Sequence, residues 1–160
     1  MQGLEDLYRE IILDHYKNPR NSGQLDSPPA HRAEGYNPLC GDEVAVYVAN
    51  DGDRIVDIKM SGQGCSISRS SASLMTVAVK GKSVAEAREA IRTFKNMMSI
   101  HEAALGAEAE DQVGPADLRT LGELAALQGV VKFPVRIKCA TLAWNTLSQL
   151  LDEIEAGESN

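Results

Sequence analysis

The stretch from residue 43 to residue 60 constrains this chain more than any other. Val44, Val46 and Val48 alternate with their neighbours, Asn50-Asp51-Gly52-Asp53 supplies turn chemistry, and Val56, Ile58 and Met60 alternate again. Period-two apolar runs on both sides of such a turn predict an antiparallel hairpin, 43–49 paired with 55–60. Two strands alone are marginally stable in water. The chain must therefore add a third strand or helices over the apolar face, and the segment before Asn37 is the candidate strand.

The remainder reads mostly as helical cover. Leu4, Leu7, Tyr8, Ile11, Ile12 and His15 recur at helical spacing, and that helix should stop before Asn18-Pro19. Residues 18–39 contain Pro19, Pro28, Pro29 and Pro38 and read as a long loop. A helix is predicted from about residue 68 to Lys80, closed by Gly81. Ser83, with Glu86 three residues on, makes a capping box for the next, whose stripe is Val84, Ala87, Ile91, Phe94 and Met98. Residues 99–115 are acidic and alanine-rich and read as a connection with an irregular or short helical piece. The run Glu108-Ala109-Glu110-Asp111 reads as a solvated face. Pro115 opens a predicted helix carrying Leu118, Leu121, Leu124 and Leu127. An extended entry over 130–135 leads to a last helix starting near Arg136 or Lys138, with the stripe Ala140, Trp144, Leu147, Leu151 and Ile154. The expected fold class is α+β, a small antiparallel β-sheet packed against several helices, in a single domain spanning 1–160.

Composition narrows the function classes. Hydrophobic residues make up 43% of the chain, enough for a core. A formal charge of −7 argues against a surface built to hold nucleic-acid phosphates. No apolar run reaches the length of a membrane span, and the first residues lack the basic start and apolar stretch of a secretory signal, so the expected compartment is the cytoplasm. Three cysteines cannot all pair within one chain, which points to thiol or metal chemistry rather than a disulfide framework.

The placement of those cysteines matters more than their number. Cys40 follows Asn37-Pro38-Leu39 and precedes Gly41-Asp42, where the loop enters the hairpin. Cys65 follows Gly62-Gln63-Gly64 at the hairpin's end, and Cys139 falls at the predicted start of the last helix. Each stands at an element boundary, where a side chain can reach a shared rim. If they converge, three thiolates and the Asp42 carboxylate make a donor set suited to tetrahedral zinc. Such a set around a dication is net negative. First-turn amides of the last helix at Cys139, together with Arg136 and Lys138, are candidates to offset it. Separations of 25 and 74 residues do not establish convergence, so inert core thiols and a single reactive thiol stay open as readings.

Other polar residues carry less. His15 reads as packing or capping on the first helix, and His31 and His101 as surface residues in loops. Ser66, Ser68, Ser70 and Ser71 read as cap and polar-face residues. The segment 62–68 lacks the Gly-Lys-Ser/Thr of a phosphate loop, and no histidine stands at a spacing from a cysteine that announces a thiol protease.

Taken together, Asn37-Pro38-Leu39-Cys40-Gly41-Asp42, Gly62-Gln63-Gly64-Cys65-Ser66-Ile67-Ser68 and Lys138-Cys139-Ala140-Thr141-Leu142-Ala143-Trp144 resemble the three signature blocks of the IscU/NifU-N iron–sulfur assembly family. Leu7-Tyr8 and His15-Tyr16-Lys17-Asn18-Pro19-Arg20 are similar to its N-terminal helix and turn, and the resemblance spans roughly residues 4–155. Within that family the sequence most resembles the SufU branch. Lys138 stands where the scaffold branch has His, and the stretch between Cys65 and Cys139 is longer, with the extra material expected in 99–130. The resemblance implies an α+β domain in which Cys40, Asp42, Cys65 and Cys139 bind zinc. It implies sulfur transfer in iron–sulfur cluster assembly, with Cys40 accepting persulfide sulfur from a SufS-type cysteine desulfurase. A desulfurase histidine would replace Cys40 at the metal, and sulfur would pass on toward downstream iron–sulfur assembly proteins. Arg136 or Lys138 would stabilise the thiolate or contact the partner. No nucleic acid or membrane enters this picture. The scaffold branch implies instead that the same ligands hold iron or a transient [2Fe–2S] cluster, and a non-catalytic zinc-stabilised interaction module is a third reading.

Overall fold

The structure is a computed structural model that describes residues 2–26, 29–106 and 122–158. Three strands form one antiparallel sheet in the order β1-β2-β3: β1 His31–Asn37, β2 Asp42–Asp51 and β3 Arg54–Gln63. The expected hairpin is β2–β3, and the third strand does come from the segment before and including Asn37. His31 opens β1 rather than lying in a loop. The loop after the first helix is partly pinned as well. Met60 N–H donates to Asn21 O and Gly23 N–H to Met60 O, both at 2.9 Å, so this segment covers the outer edge of β3. Pairing an otherwise free edge removes a template for association.

One face of the hairpin departs from simple alternation. Ala49 pairs with Asp57 but Asn50 pairs with Ile55, leaving Val56 as an extra residue. Such a bulge flips the side-chain phase beyond it. Ile58 and Met60 are buried as expected, whereas Val56 is exposed and Ile55 takes the core position. On the opposite face Arg32 lies over the Tyr47 ring, 5.5 Å from its centroid, and its Nε donates to the Tyr47 hydroxyl at 3.1 Å. That contact helps explain how an aromatic residue on the sheet's outer side is buried.

Among the described residues, four α-helices and a run of 3₁₀ turns accompany the sheet: α1 Gln2–Lys17, α2 Ser66–Val79, α3 Val84–Gly106, the 3₁₀ segment Gly122–Lys132 and α4 Pro134–Glu158. The Ser83/Glu86 capping box is present, with Glu86 N–H donating to Ser83 Oγ at 3.0 Å and Ser83 N–H to Glu86 Oε1 at 3.1 Å. Two boundaries differ from expectation. Helix α3 continues to Gly106, through residues expected to be an irregular connection, and takes in His101. Alanine and glutamate favour helix even where no apolar stripe marks one. The entry to α4 is not extended; 3₁₀ turns run to Lys132 and α4 begins at Pro134, a residue suited to a first helical position. The helix expected from Pro115 and the acidic run 108–111 lie outside the described residues, as do Leu118 and Leu121. Leu124 and Leu127 are buried in the 3₁₀ segment.

The core joins all three strands to α2, α3, α4 and the 3₁₀ segment. The expected stripes of α3 and α4 are buried in it, and Trp144 stacks on Phe94 with ring centroids 4.4 Å apart. Helix α2 corrects the reading of the serine run. Ser68, Ser70, Ser71 and Ser73 are buried between helices rather than lying on a polar face. Ser71 Oγ donates to Ala140 O at 2.6 Å and accepts from Trp144 Nε1–H at 3.0 Å. Ser73 Oγ accepts from Arg20 N–H and meets His15 Nδ1, both at 2.8 Å, while His15 Nε2 meets Glu123 Oε2 at 3.0 Å. A neutral imidazole here carries its proton on Nε2, facing the carboxylate. His15 is thus a buried tie among α1, α2 and the 3₁₀ segment. Among the described residues no buried side-chain N or O lacks a partner, and no helix is long and apolar enough to cross a membrane.

Candidate functional site

The β1–β2 connection is short, and its geometry follows from its residues. Pro38 cannot extend the ladder and Gly41 turns the chain at φ +68°, a left-handed value that favours glycine. Cys40 therefore rides on a turn between two strand ends, half-buried. Asp42, the first residue of β2, is fully buried. Its Oδ1 accepts from Cys65 N–H at 2.9 Å and its Oδ2 from Asn37 Nδ2 at 3.2 Å. Gly64 lets the chain pass over this carboxylate, because a Cβ there would stand 2.5 Å from Asp42 Oδ1.

Cys65 is the N-cap of α2, its sulfur accepting from Ser68 N–H at 3.4 Å. Cys139 is fully buried on α4. Helix α4 starts at Pro134, so Cys139 lies in its second turn and not at its start, correcting the expectation above. The free amides of a helix N-terminus therefore serve Cys65 rather than Cys139. The Cys139 sulfur is 3.2 Å from the Cys40 sulfur and 3.6 Å from Asn37 Nδ2.

One ligand atom each from Cys40, Asp42 and Cys139 lie within 4.8 Å of one another. Cys65 stands at the edge of this group, its thiol directed along the first turn of α2 yet near enough to act on both Asp42 and Cys139. The thiols are free, and the 3.2 Å sulfur separation is far longer than a disulfide bond. The donors fit a metal. Two Zn–S bonds of about 2.3 Å at the tetrahedral angle place their sulfurs roughly 3.8 Å apart, within a small adjustment of the spacing present.

The titratable groups of the site act strongly on one another. Burial pushes the Asp42 carboxyl up, but hydrogen bonds from Cys65 N–H, the Cys139 thiol, Asn37 and the Cys65 thiol outweigh it and hold it below the usual carboxylate range. Burial, and then contact with Asp42, Cys40 and Cys65, raises the Cys139 thiol well above its ordinary value. Arg136, exposed one turn before Cys139, is a cation that faces the site. Its hydrogen bond to Cys139 and the field of the three thiols raise its own affinity for a proton. Lys138 is exposed on α4. Two exposed apolar side chains flank site residues in sequence, Leu39 next to Cys40 and Val135 next to Arg136.

Sequence reasoning named Cys40, Asp42 and Cys139, which the structure gathers, and Cys65, which it puts at their border. Asn37 had no assigned role, although the Asn37-Pro38 pair immediately before Leu39-Cys40 is the signature of an Asx-type turn.

Residues 7–140 match the family described as NifU-like N terminal domain. Among curated proteins, the chain is 44% identical over 154 residues to the zinc-dependent sulfurtransferase SufU of Bacillus subtilis strain 168, covering 96% of this chain and 95% of that one. It is 43% identical over 148 residues to the iron-sulfur cluster assembly scaffold protein IscU of Streptococcus pyogenes serotype M1, covering 92% and 84%. A crystal structure from Fervidobacterium islandicum AW-1, of a protein described as an iron-sulfur cluster assembly scaffold protein for the SUF system, aligns with TM-score 0.75 and 36% identity over 89% of this chain and 94% of that one. The N-terminal part of a NifU-like protein from Brucella abortus shares the fold at 20% identity, with TM-score 0.69 over 96% and 97%.

Proposed function

Since the chain belongs to the NifU-like N-terminal domain family, we propose that it is a sulfur-transfer protein of iron–sulfur cluster assembly, dependent on zinc, and that Cys40 receives the sulfur. The observation that carries this reading is the asymmetry of the thiols. Cys139 is sealed in the helix packing, and Cys65, half-buried like Cys40, is engaged as the N-cap of α2 by Ser68 N–H, whereas Cys40 rides on a turn next to exposed Leu39. Zinc held by Cys40, Asp42, Cys65 and Cys139 would keep the thiols deprotonated near neutral pH. Cys65 joins the set by turning from Ser68 N–H.

The partner is a SufS-type cysteine desulfurase carrying a cysteine persulfide. The Cys40 thiolate attacks the terminal sulfur of that persulfide. A new S–S bond forms on Cys40, the donor's S–S bond breaks, and the donor cysteine leaves as a thiolate. The exchange involves no external oxidant or reductant. Arg136 lies where it offsets the negative charge on the sulfurs during the exchange, and exposed Leu39 beside Cys40 offers a covering partner an apolar contact. Sulfur then passes to downstream assembly proteins.

The test is mass spectrometry of the zinc-loaded chain after incubation with desulfurase and L-cysteine. The expected result is a gain of about 32 Da on the peptide holding Cys40, absent in Cys40→Ser. A stable complex without that added mass overturns the reading. A scaffold role uses the same donors and is favoured by likeness to the Streptococcus pyogenes protein. It requires that anaerobic reconstitution give a stoichiometric cluster transferable to an apo-acceptor.

A further inference from the structure

Asn37 is buried, is not among the four proposed ligands, and touches two of them. Its Nδ2 donates to Asp42 Oδ2 at 3.2 Å and lies 3.6 Å from the Cys139 sulfur, while its Oδ1 accepts from Leu39 N–H at 3.3 Å. The two ends of this carboxamide are not interchangeable. Leu39 N–H requires an oxygen and the Asp42 carboxylate requires a donor, so the network fixes the orientation. Asn37 and Asp42 are also Cα partners at the end of the β1–β2 ladder. The same two residues thus close the base of loop 38–41 through both backbone register and side chains.

Three of the proposed ligands are anchored outside that loop: Asp42 on β2, Cys65 at the cap of α2 and Cys139 inside α4. Only Cys40 rides on it. We propose that Asn37 is a positioning residue of this site, locking Asp42 and Cys139 with one end of its amide and latching the Cys40 loop to them with the other. Cys40 can then depart at the cost of the long Leu39 contact while the other donors stay in place. The inference rests on the proposed function, because it concerns how those ligands are held.

The test uses the full chain and its Asn37→Ala and Asn37→Ser variants. Serine keeps an oxygen for Leu39 N–H, as an ST turn replaces an Asx turn, but its single hydroxyl is too short to span Asp42 and Cys139 as well. Zinc affinity is read by competition with a chromophoric chelator. Ligand geometry is read from the visible and thiolate-to-metal bands of the cobalt(II) form, which a merely structural loss elsewhere does not move. Both variants are expected to bind zinc about 10–100-fold more weakly and to shift the cobalt bands. At saturating zinc, Asn37→Ala is expected to speed alkylation of Cys40, and Asn37→Ser to hold it near the parent rate. Affinities within twofold of the parent together with an unchanged cobalt spectrum overturn the proposal. If Asn37→Ala does not fold, the affinity and spectrum of Asn37→Ser decide. A parent chain that binds zinc with no effect of either variant overturns this inference alone. A parent that binds no zinc overturns it together with the proposed function. Weakened binding in the variants, with no persulfide on the parent's Cys40, sustains Asn37's role and overturns sulfur transfer.

Discussion

At Gly64 a single methyl group tests how rigidly Asp42 is held. An added Cβ would stand 2.5 Å from Asp42 Oδ1, and the carboxylate has little freedom to yield because Cys65 N–H and Asn37 grip both of its oxygens. Gly64→Ala is expected to lower stability by about 1–3 kcal/mol through overpacking. It should also weaken zinc binding more than tenfold, as read by chelator competition. Unaltered affinity would mean that the carboxylate is not a ligand. Cys40 and Cys65 were legible as boundary residues because glycine and proline punctuate the chain around them. The second-turn position of Cys139 was not, since Pro134 sets the helix start five residues upstream and nothing in the Cys139 block itself marks it. Asn37 escaped notice for a related reason. Its work depends on Asp42 and Cys139 meeting through space, and only its turn-forming half is written locally.

At the scale of elements, α3 shows what sequence can specify. Ser83 and Glu86 announce its start and satisfy each other's backbone N–H. Ser83→Ala is expected to destabilise by about 1 kcal/mol, read as a lower denaturant midpoint at unchanged slope. Glu86 is held below its usual value of 4.5 by the Ser83 N–H and, next, the Ser83 hydroxyl. Near its folded value the unfolded chain binds more protons there. The contribution of Glu86 is therefore present above about pH 4.5 and fades as pH falls through the lower folded value. The gap between the unfolding midpoints of the parent and Glu86→Ala should be widest at pH 7 and narrow progressively as pH falls below about 4.5; a gap unchanged by acid would sink this account. The end of α3 was less legible, because the apolar stripe that marks its first turns gives way to alanine and glutamate, whose helical preference has no period. The same limit applies to β3, where alternation predicted Val56 inside and the bulge put Ile55 there instead. A bulge is a register event between two strands, and neither strand's own pattern contains it.

Across the whole molecule, the site lies at an edge of a core that does not depend on it. Trp144, Phe94, Ile55, Ile58 and Leu147 are fully buried in one cluster with apolar contacts of their own, and the Ser71 and Thr76 hydroxyls of α2 are satisfied by protein partners. Removing metal with a chelator is therefore expected to leave secondary structure and a cooperative thermal transition in place. Zinc at a hundredfold its Kd should add about 2.7 kcal/mol by mass action. A chain that loses its helical circular dichroism on chelation would instead be a zinc-stabilised module, the non-catalytic alternative. The α+β class and the helical stripes of this core were readable from apolar periodicity. The buried serines were not, because a hydroxyl that finds a carbonyl on another helix is indistinguishable in sequence from one that finds water.

The turn that holds Cys40 is tethered at both ends, at Asn37 and at Asp42. On the proposed reading, a sulfur loaded there swings like a flap on a hinge line instead of wandering as cargo on a free arm. With three residues to Asn37 and two to Asp42, its sweep is limited by the shorter tether to roughly 7 Å. Giver and receiver must each come to the doorstep, so lengthening the flap by a residue would change how far the sulfur can be handed without altering what grips it at rest.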